Sequence, residues 1–389
     1  MGEVGVRLGS DALIASGALR GSRVGVVCNH ASVDADFVHV IDRLAQAERV
    51  RLSAIFGPQH GFRSDVQDNM VETPHREDRQ YRVPLYSLYS ETREPTAEML
   101  KELDVLVIDL QDVGARIYTY IYTMANCLRA AARHGVPVIV CDRPNPIGDA
   151  IEGATLLPGY ESFVGLFPIP MRHGMTIGEL ARLFNAEFAL GASLTVSPME
   201  GWHRHMYADD TRLPWVMPSP NMPTLDTAVA YPGTVLFEGT MLSEGRGTTR
   251  PFELVGAPWI DAERFADAMN QHGLPGVHFR PAAFEPTFQK HAKNTCGGCQ
   301  IHVTDRASFR PVITGVALIS TFRRFDTERF AWRQPPYEYE HEKLPIDILA
   351  GSNILREQIE TSASLSEIAE SWRADETAFA HQRMPYLLY

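Results

Sequence analysis

A run of seven residues, Asp104 to Leu110 (DVLVIDL), is the segment that most restricts the fold. It is apolar along nearly its whole length, so it predicts a β-strand covered on both faces, which is typical of a parallel sheet. Further strands are predicted at Arg23 to Asn29, Arg51 to Phe56 and Val138 to Cys141, with helix-like segments between them. Strands and helices that alternate in this way predict a doubly wound α/β fold.

The helices are indicated by apolar periodicity and by their start and stop signals. Tyr118 to Arg133 predicts a long helix, and the Gly-Val-Pro sequence at 135–137 ends it. Thr176 is followed three residues later by Glu179, a capping-box pattern that predicts a helix start. These signals place helices between the strands of the first half of the chain.

The sequence changes character after this first half. Trp215 to Pro232 lies in an irregular, proline-rich stretch that predicts a crossing between domains. Beyond it, short strands at Gly276 to Phe279 and Gln300 to Thr304 mix with a helix within Pro311 to Arg323, which favours a smaller α+β domain. We therefore predict an α/β domain at 1–228 and an α+β domain at 229–389.

The composition is that of an ordinary soluble globular chain, with 389 residues, 44% hydrophobic and 22% charged. A formal net charge of -12 disfavours nucleic acid or an anionic membrane as the main partner. No GxGxxG or GxxxxGK sequence supports a nucleotide cofactor, and the CxxC at 296–299 is more typical of a glycine turn between strands than of a zinc site. We expect no cofactor and no metal, and a small molecule as the partner.

The N-terminal residues, Met1 to Arg7, lack the basic and apolar regions of a secretory signal, and no stretch approaches the length of a membrane span. The five cysteines are too few and too scattered for a disulfide framework, which agrees with a reducing compartment. The expectation is a cytoplasmic protein as the sequence is written, or a secreted or periplasmic one if a signal peptide was removed. Oligomeric state is left open.

Polar loops follow three of the predicted strands. They are residues 57–63 (GPQHGFR), 109–116 (DLQDVGAR) and 142–146 (DRPNP). Ligands of an open parallel sheet bind outside the carboxyl ends of the strands, so the side chains of these loops are expected to meet in one crevice. The loops therefore predict one site for a small polar ligand.

The sequence resembles the exo-β-N-acetylmuramidase family in an ordered series of blocks: NHAS at 29–32, PQHGFR at 58–63, DLQDVGARIYTYIYTM at 109–124, DRPNP at 142–146, PSPNMPT at 218–224 and FEGTMLSEGRGTTRPFE at 237–253. The resemblance implies a glycoside hydrolase that removes terminal N-acetylmuramic acid, a peptidoglycan-derived amino sugar, from peptidoglycan fragments. It also implies a Rossmann-like N-terminal domain, a smaller C-terminal domain and an active cleft between them.

One position departs from this family. Many relatives carry Glu where this chain has Gln59, and an amide does not release a proton at neutral pH. Glycoside hydrolysis requires a carboxylic acid near the glycosidic oxygen, with a second carboxylate or the 2-acetamido oxygen of the sugar as nucleophile. The resemblance therefore implies that another carboxylate acts here, or that the substrate or the activity has changed.

The catalytic candidates are loop carboxylates: Glu72, Asp109, Asp112, Glu238 and Glu244, with Asp65 and Asp68 as further carboxylates of the first loop. Glu72 lies on the same loop as Gln59 and is the candidate replacement acid, with a solvated loop carboxylate as the alternative. Asp109 and Asp112 follow a buried strand, where helix capping or pairing with Arg116 is the alternative.

The candidates for substrate binding come from the same blocks: Asn29, Gln59, His60, Arg63, Gln111, Arg116, Tyr118, Asn145, Asn221, Arg246 and Arg250. Muramic acid carries a lactyl carboxylate that N-acetylglucosamine lacks, and an arginine binds a carboxylate with two parallel hydrogen bonds. Arg246 or Arg250 is therefore a candidate for substrate selection. Salt bridges to Glu238, Glu244 or Glu253 are the alternative.

Three hypotheses about function result. The first is an exo-acting hexosaminidase for a terminal β-linked N-acetylmuramic acid, with a substrate-assisted route open to it. The second is an amino-sugar-binding or regulatory protein that kept the cleft and lost the acid, which Gln59 supports. The third is a hydrolase of another glycoside, with the charged segment Thr73 to Arg82 as the place for such a change.

Overall fold

The computed structural model describes residues 5–67 and 71–389, and its larger sheet has seven strands. These are β1 (Arg23–Cys28), β2 (Arg51–Gly57), β3 (Arg76–Glu77), β4 (Pro84–Ser87), β5 (Val105–Asp109), β6 (Val138–Cys141) and β7 (Leu194–Ser197). Their spatial order is β3-β4-β2-β1-β5-β6-β7, and every neighbouring pair is parallel except β3 and β4. The sheet confirms the predicted parallel α/β fold.

Helices alternate with these strands: α1 (Gly9–Ser16), α2 (Val40–Gln46), α3 (Ala97–Leu100), α4 (Tyr120–His134) and α5 (Ile177–Glu187). All residues of β5 are buried, as its apolar sequence predicts for a strand covered on both faces. The Thr176 hydroxyl accepts a hydrogen bond from the Glu179 N–H at 3.3 Å, and the Glu179 carboxylate accepts one from the Thr176 N–H at 3.0 Å. The predicted capping box therefore starts α5.

The second half of the chain contains a smaller antiparallel sheet of β8 (Leu254–Ala257), β9 (Val277–Phe284) and β10 (Cys296–Val303), in the order β8-β10-β9. Its helices are α6 (Leu225–Thr234), α7 (Ala262–Gln271), α8 (Pro311–Phe325), α9 (Pro345–Ala350), α10 (Ile354–Glu360) and α11 (Leu365–Arg383). The smaller α+β part is thus confirmed, while the boundary after residue 228 stays a prediction. No helix of the described chain is long and apolar enough to cross a membrane.

The CxxC sequence lies inside a strand, and the expectation of a glycine turn was wrong. Cys296 and Cys299 are buried in β10 with free thiols. A Cβ atom at Gly298 would lie 1.9 Å from the Val255 carbonyl oxygen, so glycine is needed for the close approach of β10 and β8. In residues 5–67 and 71–389, no group of three or more His, Cys, Asp or Glu is placed to hold a metal ion.

Hydrogen bonds join the two halves at the carboxyl ends of the larger sheet. Arg116, which follows β5, donates to the Leu349 carbonyl oxygen at 2.9 Å. The Tyr89 hydroxyl, which follows β4, donates to the Glu338 carboxylate at 3.0 Å. The second half therefore meets the first at the edge of the sheet where the polar loops lie.

Candidate active site

A pocket lies where the loop after β2 and the start of α4 meet the second half of the chain. It has an empty volume of about 490 Å³, which includes the solvent space at its open side. Its walls consist of Gln59, His60, Ile117, Tyr118, Thr119, Tyr120, Val164, Ser219, Asn221, Met222, Tyr231, Glu238, Arg246, Phe252, Tyr337 and Glu338. Among the described residues, two carboxylates thus line a pocket that is otherwise built from aromatic rings, amides and hydroxyls.

Glu238 is the first of these carboxylates and lies in the 3-10 turn Val235–Gly239 that follows α6. Its side chain is buried and accepts hydrogen bonds from Arg246 Nη2 at 2.6 Å and from the Tyr337 hydroxyl at 2.7 Å. Burial alone would raise the pKa of Glu238, but the charge of Arg246 and these two hydrogen bonds outweigh it and lower the pKa. Glu238 is therefore ionised at neutral pH.

Arg246 is held by two carboxylates instead of being open to a ligand. Besides Glu238, its Nε atom lies 3.4 Å from Glu244, and Glu244 is also paired with the buried Lys290 at 2.6 Å. Lys290 in turn donates to the Phe237 carbonyl oxygen at 2.8 Å, next to Glu238 in the chain. The salt-bridge alternative for Arg246 and Glu244 is therefore the arrangement in the structure, and this buried network fixes the Glu238 carboxylate.

Glu338 is the second carboxylate and lies at the tip of a tight turn. The backbone groups of Tyr337 and Glu340 exchange two hydrogen bonds of 2.9 Å, and Glu338 and Tyr339 between them have φ values of +45° and +68°. This is the pattern of a type I′ turn, whose central positions favour Asn and Gly. Glu and Tyr in this conformation are strained, and such strain concentrates at functional sites.

The environment of Glu338 raises the pKa of its carboxyl group. The side chain is 4% exposed and accepts a hydrogen bond from the Tyr89 hydroxyl at 3.0 Å. Burial raises the pKa of Glu338 to about 7, and the negative charge of Glu238 adds to this, while Tyr89, Gln59 and Arg93 act in the opposite direction. One pocket therefore holds a carboxyl group with a lowered pKa and one with a raised pKa, a division that suits acid catalysis.

The oxygen and the nitrogen of the Gln59 side-chain amide form hydrogen bonds to different partners. Its Oε1 atom accepts a hydrogen bond from the Thr119 hydroxyl at 2.7 Å. The Nε2 group is consequently the end that bonds to Glu338, and this bond favours the ionised form of that carboxyl group. At the position where many relatives carry Glu, this chain thus supports a carboxyl group that comes from the other half.

His60 follows Gln59 and also lines the pocket. Burial lowers the pKa of His60 to about 4, so the ring is neutral at neutral pH. Its Nδ1 atom lies 2.7 Å from the Val66 carbonyl oxygen, which places the proton on Nδ1 and leaves Nε2 as an acceptor. A neutral imidazole of this kind can accept a hydrogen bond from a sugar hydroxyl.

Six of the sequence-predicted residues line this pocket: Gln59, His60, Tyr118, Asn221, Glu238 and Arg246. Asn221 donates to the Gln67 carbonyl oxygen at 3.1 Å and so connects the loop after β2 to the proline-rich segment. The Tyr118 ring packs against Tyr231 with ring centroids 6.1 Å apart and provides an aromatic wall. Residues that are distant in sequence thus meet in one crevice.

Glu72, the candidate replacement acid, does not line this pocket. Its side chain is 51% exposed and pairs with Arg93 at 3.4 Å, which is the solvated-loop alternative. Arg63 and Asp65 of the same loop are also exposed. Asp68 lies outside the described residues.

Asp109 and Asp112 also lie outside the pocket, in buried pairs. Asp109 is fully buried and bound by Arg143, the arginine of the loop after β6. Asp112 accepts a hydrogen bond from the Gly114 N–H at 2.8 Å and lies 3.2 Å from His173 Nε2. Asp109 is thus paired with Arg143, and not with Arg116 as predicted for the alternative role. The N-cap residue of α4 is Thr119, so the predicted capping of this helix by Asp109 or Asp112 was also wrong.

The remaining candidates for substrate binding hold the backbone in place. Asn29, Gln111, Arg116 and Asn145 each donate from the side chain to backbone carbonyl oxygens. Arg250 has a side chain that is 45% exposed and pairs with Glu253 at 3.2 Å. These residues stabilise the loops around the pocket without lining it.

Sequence analysis missed Glu338 together with Thr119, Tyr231 and Tyr337. None of them lies at the end of a predicted strand. The available signal for Glu338 was the sequence PPYEYE at 335–340, in which tyrosine and glutamate alternate after two prolines. Its strained turn forms through tertiary contacts and leaves no local sequence pattern.

The fold and the pocket together define a class of protein. The protein is an α/β enzyme in which two carboxyl groups with opposite pKa shifts share a buried pocket, an arrangement suited to the hydrolysis of a glycosidic bond.

The chain belongs to the exo-β-N-acetylmuramidase family. The part of the family described as "Exo-beta-N-acetylmuramidase NamZ, N-terminal" matches residues 24–226, and the part described as "Exo-beta-N-acetylmuramidase NamZ, C-terminal" matches residues 229–389. The resemblance inferred from the sequence blocks is thus confirmed.

Similar proteins are known from sequence and from crystal structures. The peptidoglycan beta-N-acetylmuramidase NamZ of Bacillus subtilis (strain 168) is 48% identical over 372 residues, which cover 95% of this chain and 88% of that protein. Two crystal structures of DUF1343 family proteins from Bacteroides fragilis NCTC 9343 match with TM-scores of 0.89 and 0.76 and identities of 35% and 29%. Each match covers 99% of both chains, so the similarity extends over both halves.

Proposed function

We propose that this protein is an exo-acting β-N-acetylmuramidase that releases terminal N-acetylmuramic acid from peptidoglycan fragments. The observation that carries the proposal is the pair of buried carboxyl groups, Glu238 and Glu338, in one pocket with opposite pKa shifts. Membership of the family and the 48% identity to the Bacillus subtilis enzyme support the choice of sugar. A buried pocket suits an exo-acting enzyme because it accommodates the end of a chain and excludes its middle.

Glu338 is the general acid in this proposal. A carboxyl group with a pKa of about 7 carries its proton in about half of the molecules at pH 7, and this form can give the proton to the glycosidic oxygen as the bond to the leaving sugar breaks. Gln59 cannot do this, because an amide has no such proton to release. The acid is thus supplied from the second half of the chain, and the exposed Glu72 is not needed for this step.

In this proposal Glu238 remains ionised and stabilises the positive charge that develops on the terminal sugar. As the leaving sugar departs, positive charge appears at the anomeric carbon, and a fixed carboxylate nearby stabilises it. The 2-acetamido oxygen of the same sugar is the nucleophile in a substrate-assisted route and forms a cyclic oxazolinium ion. Water then opens this ring, and the Glu338 carboxylate accepts the proton that the water loses.

Polar and aromatic groups around the two carboxyl groups suit a pyranose ring. His60 offers an acceptor, Asn221 an amide and Tyr118 an aromatic wall. Aromatic rings pack against the apolar C–H face of a sugar while hydrogen bonds fix its hydroxyl groups. Arg246, which is already paired with two glutamates, orients Glu238 in this proposal and is not the ligand of the lactyl carboxylate.

The second candidate is an amino-sugar-binding protein without catalysis, and Gln59 is the observation that favours it. Hydrolysis of p-nitrophenyl β-N-acetylmuramide distinguishes the enzyme from the binding protein, and the corresponding N-acetylglucosaminide is the comparison substrate. We expect turnover of the muramide by the wild type, a partial loss in Glu338→Gln and no change in Glu72→Gln. Binding of N-acetylmuramic acid in calorimetry without turnover would favour the binding protein, and turnover of the N-acetylglucosaminide alone would favour another glycoside.

A further inference from the structure

Tyr339 is a large exposed side chain directly beside the proposed acid. It is 50% exposed although its ring is apolar, and its φ of +68° is in the left-handed region. An aromatic residue gains nothing from this backbone conformation, and Gly or Asn would relieve the strain. Neither the exposure nor the strain is explained by the packing of the fold, which indicates that the ring serves a ligand.

The ring is held in place by residues that also hold Glu338. The Arg93 guanidinium carbon lies 4.7 Å from the centroid of the Tyr339 ring and 4.0 Å from that of Tyr89. Tyr89 is fully buried and donates to Glu338 at 3.0 Å, so Arg93 links the exposed ring to the support of the acid. An aromatic ring that is fixed in the free protein loses little conformational entropy when a ligand packs on it.

The exposed ring lies at the rim of the pocket. The Tyr339 hydroxyl is 3.5 Å from Glu72 Oε1, and Glu72 belongs to the loop after β2. Gln67 of the same loop accepts a hydrogen bond from Asn221, which lines the pocket. Tyr339 also follows Glu338 directly in the chain, and Glu338 lines the pocket.

The position of the acid decides which part of a substrate reaches this rim. A general acid must lie within hydrogen-bonding distance of the glycosidic oxygen, which joins the terminal sugar to the leaving sugar. The terminal sugar occupies the pocket, so the leaving sugar extends outward past the turn that carries Glu338. Of the two tyrosines that flank Glu338, Tyr337 is buried and bonded to Glu238, whereas Tyr339 is exposed.

We propose that Tyr339, supported by Arg93, is the stacking platform for the leaving-group sugar, which is N-acetylglucosamine in peptidoglycan. The C–H face of this sugar packs on the ring, and the exposed Glu72 carboxylate at its edge accepts hydrogen bonds from the sugar hydroxyl groups. This inference rests on the proposed function, because it assumes that Glu338 protonates the bond between the two sugars.

The test compares two substrates that differ only in the leaving group. One is the disaccharide in which N-acetylmuramic acid is β-linked to N-acetylglucosamine, and the other is methyl β-N-acetylmuramide, which has no leaving sugar. For Tyr339→Ala we expect a loss of about tenfold in kcat/KM on the disaccharide and no loss on the methyl glycoside. Tyr339→Phe keeps the ring and should retain activity on both substrates, as should Phe37→Ala, a remote residue that is 67% exposed.

The outcomes that overturn the proposal are distinct. An equal loss on both substrates, accompanied by a shift of the basic limb of the pH profile, would mean that Tyr339 acts through the turn and the acid. Full activity of Tyr339→Ala on the disaccharide would remove the platform while leaving the proposed function intact. If the wild type hydrolysed neither the disaccharide nor the methyl glycoside, the proposed function would be refuted, and the stacking platform would be refuted with it.

Discussion

Replacing Glu338 by Gln is the most informative perturbation, because it removes the proton and leaves the shape and hydrogen bonding of the side chain nearly unchanged. Loss of a general acid lowers the rate by about 10²- to 10⁴-fold, and we expect a loss in this range for the disaccharide. The loss on p-nitrophenyl β-N-acetylmuramide should be smaller, since p-nitrophenolate leaves readily without a proton. This dependence on the leaving group separates the loss of an acid from general damage to the pocket.

The same residue sets the pH dependence of the wild type. Burial raises the pKa of Glu338 to about 7, and the reaction requires the protonated form. We therefore expect kcat/KM on the disaccharide to fall as the pH rises through about 7. The residual activity of Glu338→Gln should lack this basic limb, which a pH profile of both proteins measures directly.

The stability of the wild type should fall over the same pH range as its activity. The pKa of Glu338 rises from its usual 4.5 to about 7 on folding, so the folded protein binds this proton more tightly than the unfolded chain. This contribution to stability is fully present below pH 4.5 and is lost as the pH rises through about 7. The difference between these pKa values corresponds to about 3 kcal/mol. In Glu338→Gln the side chain is neutral at every pH, so the variant does not show this loss of stability.

The assay is urea unfolding of both proteins at about pH 4 and about pH 8. We expect the stability of Glu338→Gln relative to wild type to increase by about 3 kcal/mol from the lower to the higher pH. Glu72→Gln, in which the replaced side chain is 51% exposed, is the matched control for the unfolding experiment and should not show this increase. A Glu338→Gln variant with full activity on the disaccharide, or one whose relative stability did not depend on pH, would refute the argument for a buried acid with a raised pKa.

Two further predictions concern carboxylates that differ in their partners. Glu238→Gln removes the negative charge that helps to raise the pKa of Glu338. We therefore expect kcat/KM to drop at all pH values and the basic limb of its pH profile to shift to lower pH. An unshifted limb would show that the two carboxyl groups are not coupled. Asp109→Asn leaves the buried Arg143 without its carboxylate, so urea unfolding should show a loss of about 3–5 kcal/mol; a loss below about 1 kcal/mol would indicate that this pair contributes little.

Four strands of the larger sheet, β1, β2, β5 and β6, were predictable because they are short, apolar and separated by helices with clear start and stop signals, whereas β4 and β7 were missed. Val138–Cys141 begins and ends where the sequence predicts, and Thr176 caps α5 as its spacing to Glu179 indicates. The two-residue strand β3 carries no apolar pattern, because both of its residues are exposed at the sheet edge. The CxxC was misinterpreted since its glycines fit a turn and a tightly packed strand equally well.

The site was only partly predictable for a different physical reason. Gln59 and His60 follow a strand end, where parallel sheets place ligand-binding residues, and Glu238 and Arg246 share a glycine-rich loop. Glu338 reaches the pocket through a strained turn that depends on contacts with the other half of the chain. Glu72 seemed the natural substitute because it is near Gln59 in sequence, yet its loop directs it to solvent and Arg93.

Gln59 therefore has a different role from that of a Glu at the same position, and the site still contains a carboxylic acid, Glu338. Its amide accepts from Thr119 and bonds to Glu338 through Nε2, so it fixes a carboxyl group instead of being one. A Glu at this position would add a third negative charge beside Glu238 and Glu338, and like charges at close range cannot all be ionised. With Gln, the pocket has a single carboxyl group whose pKa is near neutrality and a single one that stays ionised. In the proposed mechanism, Gln at position 59 thus leaves Glu338 as the residue that transfers the proton.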